Sequence, residues 1–71
     1  MTTSTTERSS LAHDDLRLLR LISQGLPLDA VGRRLSFSDR TIRRRTRAIC
    51  DRLGVGTPIE AVVWAARRGL L

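Results

Sequence analysis

Apolar residues along this chain recur at helical spacing in four segments, which are separated by short breaks containing glycine, proline or polar residues. The first segment runs from about Ala12 to Gln24 and ends at Gly25, a residue that readily adopts the left-handed conformation that terminates helices. The second begins near Pro27 and reaches about Leu35. No segment alternates at the two-residue period of a strand, so the pattern predicts an all-α fold of four helices.

The third segment, from Asp39 to Leu53, combines an apolar stripe with a cluster of arginines. When its residues are placed about 100° apart around a helix axis, two opposite faces separate. One sector contains Ile42, Thr46, Ile49, Cys50 and Leu53, and the opposite side contains Arg40, Arg43, Arg44 and Arg47. Arg45 lies at the edge of the apolar sector. Ser38 is a strong N-cap for this helix and Gly54 ends it. Because its arginines share the exposed side, we predict that this side of the helix suits a polyanion.

The fourth segment begins with two helix-start signals, a Thr-x-x-Glu capping box at Thr57 and a proline at the first helical position, and ends at Gly69. It has two apolar sides. One side contains Ala61, Trp64 and Ala65, and the other contains Ile59, Val62, Val63 and Ala66. We expect the first side to face the core and the second to form a contact surface between two copies of the chain. The alternative, in which both sides are partly covered within one monomer, remains open.

The charge of the chain indicates the chemistry of its partner. The formal net charge of the 71 residues is +6. All thirteen basic residues are arginine, which makes bidentate contacts to phosphate and to guanine. A general preference for arginine codons explains the total, but not the five arginines within positions 40–47. The composition therefore favours a nucleic-acid partner.

Candidate chemistry for an enzyme is lacking in the sequence. Cys50 has no second cysteine to pair with, and its place in the apolar sector indicates a small buried hydrophobe. His13, Asp14 and Asp15 form the only close titratable cluster, in an exposed helix turn without a nucleophile or metal partner. We therefore expect no enzymatic activity, no metal and no cofactor.

Location and domain limits follow from the apolar and polar runs. No stretch approaches the ~20 apolar residues of a membrane span, and the N-terminus has no apolar core of a secretory signal. We expect a cytoplasmic protein without a membrane partner. Residues 1–10 are rich in threonine and serine and predict a disordered tail before a domain at 11–71. The initiating Met1 and the unbroken tail favour a complete small protein over an excised domain.

The second and third predicted helices, joined by Ser36-Phe37-Ser38, make a helix-turn-helix. The whole segment from Leu11 to Leu71 resembles the LuxR-type (GerE- or NarL-type) DNA-binding domain. The resemblance rests on Leu18-Leu19-Arg20-Leu21-Ile22-Ser23-Gln24-Gly25-Leu26, Val31-Gly32-Arg33-Arg34-Leu35, Ser38-Asp39-Arg40-Thr41-Ile42-Arg43, Ile49, Arg52-Leu53-Gly54-Val55 and Glu60-Ala61. It implies a compact four-helix domain that binds promoter DNA as a dimer. The two copies of such a dimer associate through the last helix.

Some positions depart from the usual residues of that family. Ala12 stands where the family usually has threonine, and Asp14-Asp15 where it usually has Arg-Glu. Pro27 replaces the serine that usually caps the second helix, and Arg45 and Thr46 stand where histidine and valine are common. Thr46 needs a hydrogen-bond acceptor, most simply the carbonyl four residues back.

Within the second helix, Gly32 lowers helix propensity by roughly 1 kcal/mol relative to alanine. We expect that another helix backbone crosses closely there. The neighbouring Arg33 and Arg34 either contact a DNA backbone or lie on a solvated face.

Helix position and the resemblance together assign candidate DNA contacts. We predict base-edge contacts for Arg43, Arg44 and Arg47, since arginine with guanine is the commonest specific pairing. Ser38, Arg40 and Thr41, at the start of the helix, are expected to hold phosphates. Arg45 is assigned to phosphate or to an ion pair with a nearby acid.

Two functions are consistent with these features. The favoured one is sequence-specific binding of double-stranded promoter DNA by a homodimeric transcriptional regulator. The alternative is a protein-interaction adaptor that binds RNA polymerase or another regulator through its last helix.

Overall fold

The computed structural model describes residues 11–71, and the tail predicted at residues 1–10 lies outside the described residues. Four helices follow one another: α1 His13–Ser23, α2 Leu28–Leu35, α3 Asp39–Leu53 and α4 Pro58–Arg67. No strand occurs in the described part of the chain. The predicted all-α, four-helix fold with a central helix-turn-helix is confirmed.

A single apolar core holds the four helices together. Helix α1 packs most extensively against α4, α2 packs against α3, and α3 also contacts α4. The largest completely buried side chains come from the first three helices: Leu18, Leu19, Val31, Ile42 and Ile49. Ala61 and Ala65 contribute the fully buried side of α4, as predicted. Their small side chains allow α4 to lie close to its neighbours.

The turn between α2 and α3 is closed by backbone hydrogen bonds and by Gly32. Ser36 ends α2 in the left-handed conformation with φ 65°, and the Phe37 N–H donates to the Gly32 carbonyl at 2.7 Å. A Cβ on Gly32 would lie 3.1 Å from the Phe37 carbonyl oxygen and 3.2 Å from Ile42 Cγ2. The expected close approach is therefore confirmed, but its source is the turn and a side chain of α3. The prediction of a crossing helix backbone was wrong.

Helix α3 begins and ends where the sequence predicts. The Thr41 N–H donates to Ser38 Oγ at 3.1 Å, which makes Ser38 the N-cap, and Gly54 takes a left-handed φ of 73° after the last turn. The Thr46 hydroxyl donates to the Ile42 carbonyl at 2.7 Å, which confirms the acceptor predicted for it. These local bonds satisfy the Thr41 N–H at the start of α3 and the Thr46 hydroxyl on its buried face.

Cys50 lies on the buried face of α3 with 7% of its surface exposed. Burial raises the pKa of its thiol, and the negative charges of Asp51 and Glu60 raise it further. The thiol therefore stays protonated at neutral pH, in keeping with its predicted role as a small apolar side chain.

Helix α4 starts with the complete capping box that the sequence predicts. The Glu60 N–H donates to Thr57 Oγ1 at 3.2 Å, and Glu60 Oε1 accepts the N–H groups of Thr57 at 3.1 Å and Gly56 at 2.6 Å. The helix ends at Arg67, and Gly69 adopts a left-handed φ of 72° just beyond it. Helix α4 thus ends two residues before Gly69, the stop signal that the sequence predicts.

Replacing Thr57 with alanine should lower the free energy of unfolding by about 0.5–2 kcal/mol, because the Glu60 N–H loses its cap. Thermal and urea unfolding followed by circular dichroism measure the loss. Thr57→Ser keeps the hydroxyl and should retain most of the stability. Equal unfolding midpoints for Thr57→Ala and the unmodified chain would contradict a stabilising role for this cap.

Helix α1, in contrast, has only half of a capping box. The Ala12 N–H donates to Asp15 Oδ2 at 3.2 Å, but the methyl side chain of Ala12 offers no acceptor to the first-turn N–H groups. The departure from threonine at this position therefore leaves one capping bond unmade.

Introducing serine at Ala12 should raise the free energy of unfolding by about 1 kcal/mol, since the backbone there is already extended as an N-cap requires. Urea denaturation measures the gain. Ala48→Ser, at an exposed position in the middle of α3, is the control and should not stabilise the domain, because serine there has no orphan N–H to cap. A midpoint for Ala12→Ser at or below that of the unmodified chain would rule out a missing cap.

Candidate nucleic-acid interface

The candidate interface is built on the exposed face of α3. Its guanidiniums belong to Arg40, Arg43, Arg44 and Arg47, all of which are exposed. The opposite face is buried through Ile42, Thr46, Ile49 and Cys50. Among residues 11–71, none of the four exposed arginines takes part in an ion pair. The structure therefore brings four unpaired positive charges together on one surface, as the helical pattern predicted.

The N-terminal end of α3 places two hydroxyls and free backbone N–H groups beside these arginines. Ser38 Oγ accepts the Thr41 N–H and donates to Thr41 Oγ1 at 3.0 Å. Because Thr41 Oγ1 accepts that bond, its own proton is available to donate outward. The first N–H groups of the helix and its dipole favour an anion at this end. Asp39 adds one negative charge to the same turn, which the neighbouring Arg40 and Arg43 outnumber.

Arg45 is used differently from the other arginines of α3. It is partly buried, and its guanidinium carbon lies 4.9 Å from the centre of the Phe37 ring. This cation–π contact joins α3 to the turn that precedes it. Within the described residues Arg45 makes no ion pair, so the acid considered as its partner is replaced by an aromatic ring. The sequence placed Phe37 in the turn but contained no signal for this contact.

A second contact that the sequence did not reveal connects α1 to the end of α3. Arg52 Nη1 lies 3.7 Å from Asp15 Oδ2, and only 13% of the Asp15 side chain is exposed. The same carboxylate accepts the Ala12 N–H. Asp15 thus holds the start of α1 against the last turn of α3, whereas the sequence indicated only that it lies in an exposed helix turn.

The predicted contact surface of α4 is exposed at three of its four residues. Ile59 is 60% exposed, Val63 is 43% exposed, and Ala66 is also open to solvent. Val62 is partly buried and packs against the core. Trp64, which we expected on the core side, is also partly buried, and the Arg68 guanidinium lies 3.9 Å from the centre of its ring system. The apolar surface open to a partner is therefore centred on Ile59 and Val63.

The described residues contain neither a cluster of metal ligands nor a membrane-spanning helix. No three side chains of histidine, cysteine, aspartate or glutamate cluster there as metal ligands would. The four helices are all too short or too polar to cross a bilayer. His13 is exposed in the first turn of α1.

Comparison with known proteins finds bacterial regulators that are similar to most of this chain. The chain is 32% identical over 63 residues to the transcriptional regulatory protein YdfI of Bacillus subtilis (strain 168), an alignment that covers 89% of this chain and 30% of the relative. It is also 32% identical over 63 residues to the nitrate/nitrite response regulator protein NarL of Escherichia coli (strain K12), covering 86% of this chain and 29% of the relative. This chain carries a NarL-type helix-turn-helix domain.

The NarL-type domain spans about three-tenths of the length of these two relatives. No protein-family model matches the chain. No solved structure matches it either. The similarity to the two regulators and the four-helix architecture therefore carry the assignment together.

Proposed function

We propose that this NarL-type domain binds duplex DNA in a sequence-specific manner and thereby regulates transcription. The observation that supports this function best is the row of exposed, unpaired arginines on α3, opposite a fully packed face. A helix of this kind enters the major groove, where base edges present a distinct pattern for each base pair. The names of the two relatives, both regulators, support the same function.

Within this proposal the arginines divide into two roles. Arg43, Arg44 and Arg47 lie along the middle of the exposed face and contact base edges, for which bidentate pairing with guanine O6 and N7 is the favoured geometry. Arg40, Thr41 and Ser38 lie at the N-terminal end and hold phosphates, which sets the register of the helix in the groove. Arg45 is stacked on Phe37, which holds its guanidinium near the N-terminal end of α3. There it adds positive charge beside the DNA backbone.

Replacing Arg44 with alanine should weaken binding to the preferred site by about 1–3 kcal/mol and relax base preference at one position. Replacing Arg40 with alanine should weaken all sequences about equally and reduce the salt dependence by about one unit of slope. The measurement is selection of bound duplexes from a random pool, followed by titration of selected and random DNA at several salt concentrations.

These two variants control for each other, because each removes one guanidinium from the same helix. Equal weakening on selected and random DNA by both variants would show that Arg44 contributes charge alone. If the unmodified chain enriches no duplex from the random pool, the proposal of sequence-specific binding is wrong.

We further propose that two copies occupy paired half-sites and contact each other through Ile59 and Val63 of α4. Burial of two apolar side chains per copy is a small contribution by itself. Binding of both copies to one duplex adds to it, since the DNA holds the two contact surfaces at high effective concentration. Val62 is partly buried against the core and contributes less to this surface.

Replacing Val63 with glutamate should weaken binding to a duplex with two half-sites far more than binding to a single half-site, because the charge disrupts the contact between copies. The fold should persist, since the side chain is already 43% exposed. Electrophoretic mobility or fluorescence anisotropy on the two duplexes measures the difference.

Gln24→Glu is a matched control, since it makes the same charge change at an exposed position outside α4. It should weaken both duplexes alike. If Val63→Glu shows the same pattern as this control while circular dichroism remains unchanged, α4 is not the contact between copies.

A second candidate function uses the same exposed surface. Ile59 and Val63 could bind RNA polymerase or another regulator, so that the domain acts as an adaptor. Strongly salt-dependent, sequence-selective binding of the purified chain to DNA favours the first function. Absence of direct DNA binding, together with Val63-dependent binding to RNA polymerase, favours the adaptor.

A further inference from the structure

A cleft between α1 and α2 lies outside the surfaces described above. It has a volume of about 310 Å³ and is lined by Arg17, Arg20, Leu21, Arg34 and Leu35. A smaller cavity of about 150 Å³ shares Arg17 and Leu35 with it and extends toward Phe37. No residue of α3 lines either cavity. This surface, which we call the α1–α2 cleft, is therefore separate from the four-arginine face, by which we mean Arg40, Arg43, Arg44 and Arg47 of α3.

The rim of the α1–α2 cleft carries an excess of positive charge. Arg17 lies 3.8 Å from Asp14 in a solvent-exposed pair, which is weak by its nature. Arg20 and Arg34 are exposed and take part in no ion pair among residues 11–71. Arg33, adjacent to Arg34, differs in that it pairs with Asp29 at 3.3 Å. Two of the three rim guanidiniums are therefore available to a partner.

The floor of the cleft is apolar, which restricts the class of partner. Leu21 and Leu35 are only partly buried, and both pack against the core from beneath the cleft. A sugar-phosphate backbone matches the arginines, but its deoxyribose carbons cover the leucines less completely than an aliphatic side chain does. A protein segment with an apolar side chain between two carboxylates matches both the rim and the floor.

We propose that the α1–α2 cleft is a docking site for an acidic segment of a partner protein. An apolar side chain of that segment packs on Leu21 and Leu35, and its flanking carboxylates pair with Arg20 and Arg34. Because α3 contributes no lining residue, the partner binds without covering the four-arginine face. The site is thus independent of the proposed binding to DNA.

A structural role for the same arginines makes a different prediction. Arg20 and Arg34 lie in the last turns of α1 and α2, where positive charge favours the helix dipole. If that were their whole contribution, replacing them would lower the melting temperature without changing any binding equilibrium.

The test uses the full chain and a fluorescein-labelled 14-residue helical peptide with one stripe of leucine flanked by glutamates. Two companion peptides carry lysine at every glutamate position or glutamine at every leucine position. The variant Arg20→Gln/Arg34→Gln is compared with Arg33→Gln/Arg67→Gln, which removes the same charge outside the cleft. Fluorescence anisotropy gives each dissociation constant, and circular dichroism gives each melting temperature.

The expected result is a loss of about tenfold or more in peptide affinity for Arg20→Gln/Arg34→Gln, and less than about threefold for the control. Both companion peptides should bind the unmodified chain at least about tenfold more weakly. Equal losses for the two variants, or equal binding of the leucine and glutamine peptides, would overturn the proposal. A larger loss of DNA affinity for Arg20→Gln/Arg34→Gln than for the control would also overturn the proposal, because it would show that the arginines of the cleft bind DNA phosphates. The glutamine peptide needs no protein variant, so the proposal remains testable if a variant fails to fold.

Discussion

Burial of Ile42 and Ile49 is the constraint on which the rest of this structure depends. Both side chains are almost completely buried, and each contributes roughly 1.5–3 kcal/mol through removal of apolar surface from water. Because they lie on one face of α3, their burial sets the rotation of the helix about its axis. The arginines on the opposite face are then exposed together. Core packing and the candidate interface are thus two consequences of one helix orientation.

The turn before α3 determines how that helix leaves α2. Because Gly32 has no Cβ, the Phe37 carbonyl and the Ile42 side chain can lie close to its backbone. A Cβ at this position would crowd both groups. Phe37 in turn supports the guanidinium of Arg45. At the other end, Asp15 pairs with Arg52 and connects the last turn of α3 to α1. Helix α3 is therefore held at both ends by contacts that do not use Arg40, Arg43, Arg44 or Arg47.

A chain of 71 residues has too little interior to bury every apolar side chain. Some of the incompletely buried apolar residues among residues 11–71 are grouped. Ile59 and Val63 lie together on α4, and Leu21 and Leu35 form the floor of a cleft rimmed by arginine. The first surface suits a self-contact, because it is apolar and without charge at its centre. The second suits an acidic partner, because cations surround it.

The sequence by itself determined the four helices, the ends of α3 and the start of α4, and which residues of α3 face outward. These features depend on interactions within a few residues, such as the Ser38 cap, the Thr57 capping box and the 3.6-residue period. The tertiary structure alone decided the contact of Arg45 with Phe37, the pairing of Asp15 with Arg52 and the inward packing of Val62. It also decided the α1–α2 cleft. Each of these brings together groups from different elements, and their separation in space depends on helix packing that no local pattern encodes.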